Sequence, residues 1–99
     1  MSFEELYSVL NKRGFFNTFQ VLSQFEEYKA EKGEFYRILI EFSNYNSFLR
    51  IKDKLLESKL ISVENFSGKV YIGLTQKGKS VYESLLHLNE LINEKIYRK

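Results

Sequence analysis

The chain has one imidazole, His87, and no cysteine to accompany it. Absent thiols exclude disulfides and cysteine-ligated zinc or iron–sulfur sites, and one histidine is too few for a clustered metal site. Acid–base chemistry fares no better. The pairs Glu4-Glu5 and Glu26-Glu27 lie in segments that read as helix. Neighbouring helical side chains diverge by about 100°, so neither pair forms a carboxylate dyad automatically. The five glycines, at 14, 33, 68, 73 and 78, are scattered and build no phosphate-cradling loop. No catalytic residue, metal or cofactor is expected. What these side chains can do is attract anions. Between Asn46 and Lys79, seven cations (Arg50, Lys52, Lys54, Lys59, Lys69, Lys77, Lys79) face three carboxylates (Asp53, Glu57, Glu64), a net of +4. The whole chain carries only +2, so the other 65 residues sum to −2. Positive charge gathered on one segment is what phosphate neutralisation needs.

That segment reads as three elements in order. Ser47 to Lys59 is an amphipathic helix with Phe48, Ile51, Leu55 and Leu56 on one arc and Arg50, Asp53, Lys54 and Glu57 opposite. Lys52 falls inside the apolar arc, so the pattern is imperfect. Two β-like runs follow, Leu60–Phe66 and Lys69–Leu74, joined at Ser67-Gly68, where glycine supplies the positive φ of a tight hairpin. Thr75 then suits the N-cap of a long last helix reaching about Tyr97.

The wording of this stretch goes beyond element order. "LLESKLI" entering the first strand and "VYIGLTQKGKSVYESL" leaving the hairpin resemble bacterial and archaeal winged-helix transcription regulators of the MarR, ArsR and PadR kind. The resemblance covers about a third of the chain strongly and most of the rest by element order. Lys59 stands where many such proteins have glycine, which implies a different helix stop. The expected fold is an α+β winged helix-turn-helix of order α-α-α-α-β-β-α in a single domain. The expected partner is double-stranded DNA, bound by a regulator or repressor with no small-molecule effector evident.

In this picture 47–59 is the recognition helix and 60–74 the wing. Ser47, Arg50 and Lys54 share one exposed face. Arg50 is the candidate guanine reader, through paired hydrogen bonds to O6 and N7. Asn46, at the helix start, either reads adenine, binds phosphate or serves as a cap. Ser67, Gly68 and Lys69 form a wing tip able to follow the minor groove. Asn65 and Lys77 are supporting positions, and Tyr45 either touches the DNA backbone or, as the favoured reading, packs beneath the turn. Two rival readings remain open: an architectural or plasmid-partition DNA binder, and a winged-helix protein-interaction module.

The rest of the chain must carry this apparatus. Ser2 and Glu5 have capping-box spacing, predicting a helix to about Lys12 with Phe3, Leu6, Tyr7 and Leu10 on one face and Gly14 as its end. Asn17-Thr18 precedes a second expected helix with Val21, Leu22, Phe25 and Tyr28 apolar, after which 30–33 reads as a polar link. Residues 34–42 suit a strand by composition. The 3–4 spacing of Phe35, Ile38, Leu39 and Phe42 favours helix. Residues 43–46 then form the turn, with Asn44 or Asn46 as cap. In the last helix Val81, Leu85, Leu88, Ile92 and Ile96 make a narrow seam longer than one small domain covers. A homodimer is expected through this seam, with Phe3, Leu6 and Leu10 alongside. His87 points about 140° from the middle of the seam.

At 99 residues and 43% hydrophobic content, the chain fits one domain with an aromatic-rich core of nine Phe and seven Tyr. No apolar run approaches a membrane span, no proline or low-complexity stretch marks a linker, and the start is acidic rather than signal-like. An intracellular, cytoplasmic protein is the expectation.

Overall fold

The structure, a computed structural model, describes residues 2–42 and 45–96, and their side chains except those of Arg13, Phe42, Tyr45 and 94–96. The order is α1 (Phe3–Leu10), α2 (Arg13–Leu22), a 3-10 turn (Glu26–Tyr28), β1 (Lys29–Glu31), α3 (Lys32–Phe42), α4 (Tyr45–Glu57), β2 (Ile61–Phe66), β3 (Lys69–Leu74) and α5 (Gln76–Ile96). Among the described residues, five helices accompany a small antiparallel sheet of strand order β1-β3-β2. The class is α+β. Among the described residues, no helix is long and apolar enough to cross a membrane.

The capping box forms at the start of α1, where the Glu5 amide donates to Ser2 Oγ at 3.1 Å and the Ser2 amide donates to Glu5 Oε1 at 3.3 Å. Gly14 does not end this helix. α1 stops at Leu10, and Gly14 sits in the first turn of α2, where a Cβ would run into the Ser47 carbonyl oxygen. The glycine is there because α2 and α4 cross at backbone contact. Asn17 and Thr18 likewise do not start the second helix. Both lie buried inside α2, and the Thr18 hydroxyl donates back to the Gly14 carbonyl at 2.6 Å. Packing has overridden two residues whose local preference is for helix ends.

The second helix also ends earlier than its apolar spacing implies. Phe25 and Tyr28 leave the helical path, and Glu27 and Tyr28 take positive φ of 59° and 55°. That reversal delivers a strand the local pattern does not announce. β1 pairs with β3 through Lys29↔Gly73, Ala30↔Ile72 and Glu31↔Tyr71, and Ala30 is buried. The expected order thus becomes α-α-β-α-α-β-β-α. Residues 34–42 are helical, as the 3–4 spacing indicates, and Arg37 bridges back to Glu34 at 2.8 Å.

α4 buries Phe48, Ile51 and Leu55 and includes Asn46, which is therefore not its cap; Ser43 and Asn44 lie outside the described residues. It stops at Glu57, two residues before the expected end. Lys59 does not bring a different stop: it takes the left-handed conformation itself, at φ 61°. The Lys59 amide donates to the Leu56 carbonyl at 3.0 Å and the Leu60 amide to the Leu55 carbonyl at 3.0 Å, the two bonds of a Schellman cap. The hairpin follows with Ser67 and Gly68 at φ 53° and 79°, so the two-residue turn keeps Phe66 opposite Lys69.

Thr75 is the joint between these elements. Its hydroxyl donates to the Lys59 carbonyl at 2.5 Å and accepts from the Gly78 amide at 2.9 Å, capping α5 while tying it to the end of α4. Gly78 permits this, since a Cβ there would meet the Leu60 carbonyl. The core is aromatic: Phe15 stacks on Phe19 at 4.7 Å, and Phe48 meets Phe35 and Tyr36 at 5.0 and 5.8 Å. Val81, Tyr82 and Leu85 of α5 pack on its edge.

Candidate nucleic-acid interface

α4 offers its outer arc to solvent because its apolar arc is spent on the core. Asn46, Leu49, Arg50, Asp53, Lys54 and Glu57 are all exposed. The predicted trio is split by its neighbours. Ser47 is half-buried where α4 crosses Gly14, whereas Arg50 and Lys54 turn toward α1. They meet there in a crevice of about 280 Å³ with Glu5, Ser8 and Lys12, floored by Val9 and Ile51. Lys54 Nζ donates to Glu5 Oε2 at 3.2 Å. The Ser2 backbone N–H, then the Lys54 ammonium, hold the Glu5 carboxyl below its ordinary range. Among the described residues no carboxylate pairs with Arg50 or Lys12. The crevice thus holds three cations and one carboxylate.

The hairpin tip is exposed. Ser67, Gly68 and Lys69 lie at the exposed ends of β2 and β3, away from the buried ends at Ile61 and Leu74, and Asn65 is exposed beside them. Strand alternation places Lys29, Glu31, Glu64, Phe66, Lys69 and Tyr71 on the outer face of the sheet. Charges there are interleaved: Lys69 lies 3.7 Å from Glu31, and Lys29 lies 3.9 Å from Glu64. Such exposed pairs are worth only about 0–1 kcal/mol, so either lysine can exchange its carboxylate for another anion. Lys77 donates to the Ser58 carbonyl at 2.9 Å and serves the α4–α5 joint.

The proposed dimer residues divide into two groups. Val81 and Leu85 pack against the domain's own core. Phe3, Leu6, Leu10, Leu88 and Ile92 stay exposed, with Ile92 at 54% of its free surface. The side chain of Ile96 and the helix end at Tyr97 lie outside the described residues. Between the two groups runs an apolar groove of about 420 Å³, bordered by Leu10, Phe15, Phe16, Phe19, Tyr82, Leu85, Leu86 and Asn89. Leu86 on the groove's border and Leu91 farther along α5 are exposed as well. His87 is exposed on the same helix, and among the described residues no cluster of His, Cys, Asp or Glu could hold a metal.

Sequence reasoning passed over three residues that the fold makes interesting. Glu5 and Lys12 carry only a local helix signal, and the tertiary fold alone brings them to Arg50 and Lys54. Phe66 reads as an ordinary strand aromatic but is 70% exposed on the outer face, across from Lys69. No protein-family model matches the chain, and no curated protein or solved structure is significantly similar to it.

Proposed function

We propose that the chain is a winged helix-turn-helix protein that binds double-stranded DNA as a homodimer and regulates transcription. The observation that carries this reading is the arrangement α2-β1-α3-α4-β2-β3 with sheet order β1-β3-β2. In it α3 and α4 are the helix-turn-helix, α4 is the recognition helix and β2–β3 the wing. β1, absent from the sequence-based expectation, fills the third-strand position and strengthens the assignment. Arg50 reads a base in the major groove; Asn46, Ser47 and Lys54 support it; Ser67, Gly68 and Lys69 follow the backbone or minor groove. Pairing through α1 and the exposed part of α5 sets two recognition helices on one DNA face.

The test is selection of bound fragments from random duplex DNA, followed by the Arg50→Ala variant on the selected consensus. Losing one bidentate base contact should weaken binding by about 1–3 kcal/mol and relax the preference at one base pair per half-site. Full affinity and discrimination in the variant would remove Arg50 from base reading.

One observation favours a second reading, a protein-interaction module. The outer arc of α4 carries Asp53 and Glu57 beside Arg50 and the exposed Leu49, and Lys54 and Lys69 are already paired. Failure of the folded wild type to bind any duplex at low salt would select it.

A further inference from the structure

We infer that the crevice between α1 and α4 is a seat for a DNA-backbone phosphate, and that Glu5 occupies it in the free protein. The inference rests on the DNA-binding reading and adds to it a residue, Lys12, and a built-in competitor, Glu5. Three cations from separate parts of the chain converge there: Lys12 from the α1–α2 connection, and Arg50 and Lys54 from successive turns of α4. Only one carboxylate answers them, so the crevice keeps a surplus of two positive charges, enough for one phosphodiester and its neighbour. Glu5 is placed like a bound anion, one carboxylate oxygen on Lys54 Nζ at 3.2 Å and the other on the Ser2 amide at 3.3 Å. It is also easily displaced. Both partners of the Glu5–Lys54 pair are about half exposed, and Val9 is the one buried residue of α1.

An incoming phosphate therefore exchanges one anion for another at Lys54 and gains Lys12 as a new partner, while Arg50 at the crevice rim adds its charge and keeps its guanidinium for the base. The exchange has a thermodynamic mark. Each phosphate neutralised by protein releases condensed cations from DNA, and a freed Glu5 takes some of that gain back by collecting its own counterion. Glu5 thus lowers both affinity and salt dependence, independently of sequence.

The experiment compares Glu5→Gln, Lys12→Ala and wild type on random-sequence duplex over a salt series. Gln keeps the capping box, since it serves at that position as Glu does, so α1 is retained. Glu5→Gln should bind about two- to fivefold tighter, the range of one exposed ion pair, with a steeper dependence of log K on log salt. Lys12→Ala should bind weaker on every sequence, with the slope reduced by about one unit. Wild-type affinities and slopes in both variants, on duplex that does bind, would overturn the seat while leaving DNA binding intact. Tripolyphosphate titrated into each protein, followed by amide shifts, provides the arm without DNA. Shifts at Lys12, Arg50 and Lys54, larger in Glu5→Gln, support the seat even where no duplex binds. Absence of those shifts in a protein that also ignores duplex removes seat and DNA reading together.

Discussion

The block from α2 through β3 and the outer pair formed by α1 and the far part of α5 draw on the same kinds of side chain, with different results. In the block, Phe15, Phe19, Phe35 and Phe48 are all but completely buried. On the outer pair, Phe3 is 82% exposed, and Leu88, Leu91 and Ile92 are also exposed. Among the described residues, α5 supplies no fully buried apolar side chain. The radius of gyration, 14.4 Å, exceeds the roughly 13 Å of a compact chain this long. Its long axis is 54 Å against 28 and 26 Å across. Burying one such side chain is worth about 1.5–3 kcal/mol, so the outer pair holds back stabilisation that the block has used. The difference teaches that apolar periodicity identifies a surface needing cover without saying which molecule covers it.

The sharpest way to break this comparison is Phe48→Ala. Phe48 is buried, with the rings of Phe35 and Tyr36 packed on it. Removing it should destabilise the fold by about 3–5 kcal/mol, read from denaturant unfolding. Phe3→Ala, the same chemical change on α1, should stay within about 0.5 kcal/mol for the monomer, read at a concentration too low for pairing. Equal losses at the two positions would erase the distinction between block and outer pair.

A smaller effect, of opposite sign, lies at the end of α4. Lys59 holds a left-handed conformation at φ 61° inside a formed Schellman cap. For a residue with a Cβ that conformation is worth about 1 kcal/mol against folding. Lys59→Gly should raise the unfolding free energy by up to about 1 kcal/mol, less what glycine adds to the entropy of the unfolded chain. A destabilised variant would mean that the lysine stem contributes more by packing than the backbone loses.

What could be read from the sequence follows the range of the interactions responsible. The α4–hairpin–α5 run was legible because its determinants are local: the 3–4 spacing of Phe48, Ile51 and Leu55, the Ser67-Gly68 turn and the Thr75 cap. The Ser2–Glu5 capping box was legible for the same reason. β1 was not, because a three-residue strand with Ala30 as its only apolar residue exists through its pairing with β3. Gly14 and Asn17-Thr18 misled for a related reason. Their types favour helix ends, but the contact between Gly14 and Ser47 is 33 positions apart in sequence. Of the candidate site, Arg50 and the hairpin tip were visible as exposed polar positions. The pairing of Lys54 with Glu5, 49 residues away, was not.

The smallest expected effect on folding decides the assembly. Leu88 and Ile92 are exposed beyond the point where Val81 and Leu85 leave the core, so replacing both with Glu leaves the buried core untouched. The monomer should keep its helicity and lose at most about 0.5 kcal/mol, as for other surface changes. Its association should be abolished, because two carboxylates would then enter an apolar contact on each subunit. An exposed apolar stripe of this extent, next to the groove bordered by Phe16, Phe19 and Leu86, is a surface that a second copy would cover under the proposed twofold pairing. On the proposed DNA-binding reading, twofold pairing would set the two α4 helices about 34 Å apart, one turn of DNA, and the double variant should then lose cooperative binding to a palindromic site. Sedimentation at micromolar concentration reads the result directly. Wild type heavier than the 11.8 kDa chain, with the variant folded at that mass, is the expected outcome. A wild type already at 11.8 kDa would leave the stripe without a second copy, and an unfolded variant would move Leu88 and Ile92 into the core.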